Sequence, residues 1–163
     1  MQPGPVLAPR ILSQEGAASH LRLELAPGAD LVDGLRDALL ARGVTQAAIA
    51  LIGGTLDAAQ YLTGQPDASG ERVAVYGAPT ALAGPVTLVS GNAFLGAGAD
   101  GSPLVHCHAV MAAADGRLHG GHIPPGTCPV VDAVAHVTVL RGAGFAVRDD
   151  AETGYPVFHP VAP

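Results

Sequence analysis

Between residues 19 and 25 the chain reads SHLRLEL, so that Leu21, Leu23 and Leu25 alternate with His20, Arg22 and Glu24. A period of two marks a strand with one buried face, and Pro27-Gly28 closes it with a turn. The period then changes. Leu31, Leu35 and Leu39 recur every four residues, and Val32 and Ala38 widen the stripe to that of a core-facing helix. Asp30 is placed to cap this helix, Asp33 brings negative charge to its first turn, and Gly43 is placed just past its end. The spacing therefore predicts one main helix over about residues 30–42. Residues 46–52 read as a short buried strand ended by Gly53-Gly54. Residues 55–62 fit a helical turn or a further strand equally. Residues 64–71 read as a polar loop.

Further strands are expected at residues 72–76 and 85–90, the latter followed by Gly91-Asn92. Asp115-Gly116 is a hairpin signal between a strand at about 104–112 and a returning strand at 117–123. Residues 130–140 are apolar and rich in β-branched side chains, as in a central strand. Residues 145–148 and 156–158 read as short terminal strands. One helix among many strands predicts an α+β fold with a central, mostly antiparallel sheet. Pro3, Pro5 and Pro9 oppose regular structure, so residues 1–16 are expected to form a flexible Pro/Gly-rich arm ahead of one domain at 17–163.

Composition narrows the partners. Aromatic residues make up only 4% of the 163 and Trp is absent, so the core must be built from Ala, Val, Leu and Ile. Charged residues are 13%, about half the usual quarter, which points to apolar area buried between subunits. The net charge is −6, there is no Lys, and Arg never clusters, so the electrostatic footprint of a nucleic-acid binder is missing. The N-terminus lacks the pattern of a signal peptide, and no apolar run is long enough to span a membrane. Cys107 and Cys128 form no C-x-x-C pair, and a reduced, cytoplasmic setting is the expectation. Both read as small buried hydrophobes.

The candidate chemistry lies in His106-Cys107-His108 and, across the hairpin, Gly120-Gly121-His122. His106 and His108 share a strand face and Cys107 takes the other. With a two-residue Asp115-Gly116 loop, residue 108 would face 123 and His122 would point away. A three-residue loop with Gly in the left-handed conformation, or a bulge at Gly120-Gly121, would set 122 opposite 108 and make the imidazoles converge. Adjacent glycines in a strand call for a bulge or a close backbone approach, which favours the converging register. Three histidines with a fourth position open suit a zinc site of the catalytic type. H-x-H is short, however, and equally fits histidines bonded to water or backbone on a solvated face. His119 reads as a surface residue near the turn, and His20, His136 and His159 as structural or exposed. No phosphate-loop signature follows Gly53-Gly54-Thr55, and no G-x-S-x-G elbow occurs.

The order of segments LRLELAPGADLVDGLRDALLARGV, IALIGGTLDAA, VTLVSGNAFL and DGSPLVHCHAVMAAADGRLHGGHI, followed by Gly126-Thr127, resembles the plants-and-prokaryotes-conserved (PPC) domain family over roughly residues 19–140. The resemblance implies a PPC-like α+β fold, a homotrimer, and a metal, zinc above all, held by His106, His108 and His122. It implies the stand-alone prokaryotic form, because the R-G-R-P core of an AT-hook is absent. One departure is that GPVTLVSG carries no Glu where many members have one.

Three functions follow as expectations. The first is a trimeric protein whose zinc, or another divalent metal, binds or acts on a small molecule, with Arg72, Arg117 or Glu71 completing the pocket across subunits. Any catalysis would be of a metal-dependent hydrolase or lyase type. The second is a DNA-associated regulatory or interaction module, by family analogy alone. The third is a structural oligomerisation domain in which the histidines hold the hairpin without metal.

Overall fold

The computed structural model describes residues 13–151 and 154–161. The expected arm lies largely outside the described residues, since only 13–16 of it are included, without regular structure. Strand β1 (Ala17–Leu25) buries Leu23 and Leu25 and exposes Arg22 and Glu24, as its alternation predicts. Helix α1 (Leu31–Leu40) follows, with Leu31, Leu35 and Leu39 fully buried. Its end is a Schellman pair: Gly43 N–H donates to Leu40 and Val44 N–H to Leu39, with Gly43 at φ 70°.

Asp30 does more than cap. One carboxylate oxygen, Oδ1, accepts from the Val32 and Asp33 amides at 3.0 Å each, while Oδ2 accepts from the Cys128 amide at 2.9 Å. A single side chain thus ties the helix start to a loop 98 residues away. Asp30→Ala leaves three amides without this partner and is expected to cost about 2 kcal/mol in urea unfolding. A loss below about 0.5 kcal/mol would show that water replaces the carboxylate.

The remaining elements are strands: β2 (Ala47–Tyr61), β3 (Gly64–Pro66), β4 (Ala74–Tyr76), β5 (Thr80–Ala97), β6 (Pro103–Ala112), β7 (Leu118–His122), β8 (Val130–Arg141), β9 (Gly144–Asp150) and β10 (Tyr155–Val161). The main sheet runs β1-β8-β2-β5-β6-β7, antiparallel throughout; β9 joins β5 in parallel through Ala97 and Ala146, and β10 pairs with β9. β3 and β4 form a separate hairpin. The fold is therefore a mixed, mostly β arrangement with one short helix among the described residues.

Three boundaries differ from the sequence reading. Gly53-Gly54 does not end β2. It lies at a register shift against β8, and a Cβ on Gly54 would come within 2.2 Å of the Asp132 carbonyl oxygen. The glycines let the strand bend past its neighbour and run on to Tyr61, which resolves residues 55–62 as strand. Likewise β5 passes through Gly91-Asn92, where a Cβ on Gly91 would meet the His108 carbonyl at 2.6 Å. The loop at 64–71 contains β3, so its first residues pair with 74–76.

The helix packs against β6 and β1. In β6, Val105, Cys107, Ala109 and Met111 face the core, and Leu104, His106, His108 and Val110 face the other way. Among the described residues that outward face carries no helix. Among the described residues, no helix is long and apolar enough to cross a membrane.

Candidate metal centre

The hairpin between β6 and β7 sets the site. Ala113 N–H donates to the Arg117 carbonyl and Gly116 N–H to the Ala113 carbonyl, at 3.0 and 2.9 Å. Residues 114–116 form a three-residue loop with Gly116 at φ 78°, and Asp115 Oδ1 accepts from the Arg117 amide. This loop, and not a bulge at the glycines, places His108 directly opposite His122, and the two strands pair without a register shift.

Gly120-Gly121 has the other expected cause, close backbone approach. A Cβ on Gly120 would lie 2.6 Å from the Ala109 carbonyl oxygen. One on Gly121 would lie 2.2 Å from that of Leu62, at a φ of 155°. Leu62, just past β2, exchanges both backbone hydrogen bonds with His122, at 2.8 and 2.9 Å. The far end of β2 thus curls back onto β7 and fixes His122 from its second side.

The result is convergence. One ring nitrogen each from His106, His108 and His122 lies within 4.8 Å of the others. Ring centroids are 4.8 Å apart for His106 and His108, 4.5 Å for His106 and His122, and 5.8 Å for His108 and His122. Burial, with His122 and His108 nearby, pushes the His106 imidazole down to about 4. Burial and His108 also lower that of His122, against a weak opposing effect of the Cys107 carbonyl. His106 is therefore neutral at pH 7, the state in which imidazole ligates a metal. His122 Nδ1 is buried without a hydrogen-bond partner. Three imidazole nitrogen donors match the preference of zinc and its neighbours. The residues present fit a divalent transition metal.

The sheet register extends the site. Arg22, His136, Ala50, Asn92, His108 and His122 are successive partners in one row across six strands. Asn92 therefore stands beside the histidines. Tyr76 of β4 stacks on His122 with centroids 5.0 Å apart and planes at 21°. Asn92 reaches the site through strand pairing and Tyr76 through ring stacking, and neither contact has a local sequence signal.

Tyr76 and His122 border two lobes of a cleft. One, about 660 Å³, includes Ser90, Asn92, His108 and the backbone of Gly120 and Gly121. The other, about 530 Å³, is lined by Val73, Val75, Tyr155, Pro156 and Val157 together with His106 and His122. Arg72 lies outside the lining but sits over the Tyr155 ring, its guanidinium carbon 5.0 Å from the centroid. Arg117 is exposed in the turn beside Asp115, and Glu71 is exposed in the loop before β4.

The other polar candidates stand apart. His119 is partly buried, not a surface residue, and its Nδ1 is 3.1 Å from Tyr61 Oη. His20 Nδ1 meets Thr138 Oγ1 at 3.2 Å and His136 is exposed. His159 is half-buried on β10, its Nε2 buried without a hydrogen-bond partner. Cys107 and Cys128 are free and buried, and burial pushes the Cys107 thiol up to about 12.

No curated protein matches the chain. Among solved structures it is similar to a plant- and prokaryote-conserved (PPC) protein from Pyrococcus horikoshii, at 19% identity and a TM-score of 0.74, covering 94% of this chain and 100% of that one. It is similar to a metal-containing protein from Archaeoglobus fulgidus, at 24% identity and a TM-score of 0.72, covering 92% and 99%. A candidate DNA-binding protein from Ralstonia eutropha aligns at 16% identity and a TM-score of 0.67, covering 85% and 89%. At these identities the likenesses establish the fold. The sequence itself matches the Plants and Prokaryotes Conserved (PCC) domain over residues 12–140, and the chain belongs to that family.

Proposed function

We propose that His106, His108 and His122 hold a divalent metal ion, zinc by preference, and that the centre binds a small molecule in the adjoining cleft. The observation that carries this reading is the convergence of three ring nitrogens within 4.8 Å. A bound ion would supply Lewis acidity, and three protein ligands leave a position for a ligand atom. The chain's own contribution is to keep His106 neutral, to hold His122 between Leu62 and Tyr76, and to wall the site with apolar and small side chains. Neither lobe is lined by Asp, Glu, Lys or Arg among the described residues. Metal analysis of protein purified without a histidine tag tests the centre, and an unchanged metal content in the triple alanine variant would overturn it.

Self-association as a homotrimer is the second element of the reading. Ile52 and Val110 stand 52% and 40% exposed on the sheet face that carries no helix. Apolar side chains there, with few charges to keep copies apart, support burial between subunits. Light scattering is expected to give about three times the chain mass of 16.2 kDa, and Ile52→Asp with Val110→Asp to lower it. A monomeric mass for the unmodified chain would overturn this element. The Ralstonia relative's designation is the support for a DNA-associated reading, but a net charge of −6 without lysine removes its electrostatic basis.

A further inference from the structure

The two lobes differ in chemistry, and the difference bears on what the centre binds. The lobe on the His106 side is walled by valines of β4 and its approach, by β10, and by two tyrosine rings. Its volume of about 530 Å³ falls in the range of small-molecule sites. Val73, Tyr76 and Val157 remain 38%, 42% and 38% exposed around it, which is unfavourable unless something apolar covers them. His106 and His122 belong to its lining, so whatever fills it lies beside two of the three histidines. The lining has no cationic side chain to neutralise a phosphate and no carboxylate to hold an amine. Besides the hydroxyls of Tyr76 and Tyr155, the polar side chains of this lining are His106 and His122, where a polar head would be matched.

We propose that this lobe seats the apolar body of a ligand whose single oxygen head reaches the three-histidine centre, an acyl or aryl compound of low charge and not a nucleotide or sugar phosphate. This rests on the metal-centre reading above. Val73 and Val157 set the preference for the tail, and Tyr76, stacked on His122, marks the boundary between tail and head. The other lobe, with Ser90 and Asn92, is the more polar of the two.

The test uses full-length protein loaded with cobalt(II), whose visible spectrum reports ligands joining the metal. Acetohydroxamate, hexanohydroxamate and benzohydroxamate share one metal-binding head and differ in the tail. Hexanohydroxamate and benzohydroxamate are expected to bind at least about tenfold more tightly than acetohydroxamate, as burial of a few carbons implies. Val73→Asp together with Val157→Asp should bring all three to the affinity of acetohydroxamate, with the cobalt spectrum of the unliganded protein unchanged. Equal affinities in the unmodified protein would overturn the lobe assignment while leaving the metal centre intact. That result would also be seen if a second copy of the chain filled the lobe. A tail preference that survives the double substitution would overturn it too. Failure of cobalt to bind would sink the metal centre itself, and the lobe assignment with it.

Discussion

Protein purified without a histidine tag is expected to carry about one divalent ion per chain, and the variant with His106→Ala, His108→Ala and His122→Ala to carry none. The size of the effect follows from the geometry. Each imidazole supplies one nitrogen to a cluster spanning at most 4.8 Å, and no other His, Cys, Asp or Glu group of that kind occurs among the described residues. Removing one ligand should weaken binding by more than the 10–100-fold that losing an outer partner typically costs, and removing all three should abolish it. The same binding stabilises the fold, because the unfolded chain does not hold these nitrogens together. At free metal about a thousandfold above the dissociation constant the gain is about 4 kcal/mol, or about 10 °C in Tm for a chain of this size. A chelator should therefore lower the Tm of the unmodified protein and leave that of the triple variant where it was. If chelation moves neither, the histidines hold the hairpin without metal, and the structural reading prevails.

Gly121→Ala is expected to destabilise the fold by about 3 kcal/mol and to release the metal as well. The added Cβ would fall 2.2 Å from the Leu62 carbonyl oxygen and 3.2 Å from Tyr61 Cδ2, at a backbone φ of 155°. Relief requires Leu62 to move, and Leu62 holds His122 through two backbone hydrogen bonds. Gly116→Ala provides the comparison. It too has a positive φ, 78°, but its Cβ would meet nothing within 4 Å, so the cost is confined to backbone strain of about 1 kcal/mol. Urea unfolding and metal analysis of both variants separate the two effects. Equal losses would mean that conformation alone, and not the approach of β2, requires glycine at 121.

The contrast between these glycines shows where local reading succeeds. Gly116 and Gly43 act within their own turn or helix end, and Asp-Gly or a final apolar stripe announces them. Gly54, Gly91 and Gly121 are needed because a strand distant in sequence passes within van der Waals distance. Read locally, Gly53-Gly54 resembled a terminator, and Gly91-Asn92 marked the end of its strand. Local pattern therefore divides or shortens the long strands β2 and β5.

By itself the sequence determined the elements whose cause is local. The alternation of residues 19–25 made a half-buried strand, and the four-residue stripe from Leu31 made the helix. H-x-H spacing put His106 and His108 on one face, away from Cys107. It also restricted His122 to two orientations, because a strand has only two faces. Only the tertiary structure decided between them. A three-residue loop fixed the register, and the return of β2 at Leu62 fixed the depth and angle of His122. The same return, with β4 and β10 folded beside it, brought Tyr76 and the valine-lined lobe to the histidines. Pairing between residues some 60 positions apart depends on the bend of a whole sheet, and no local pattern encodes that bend.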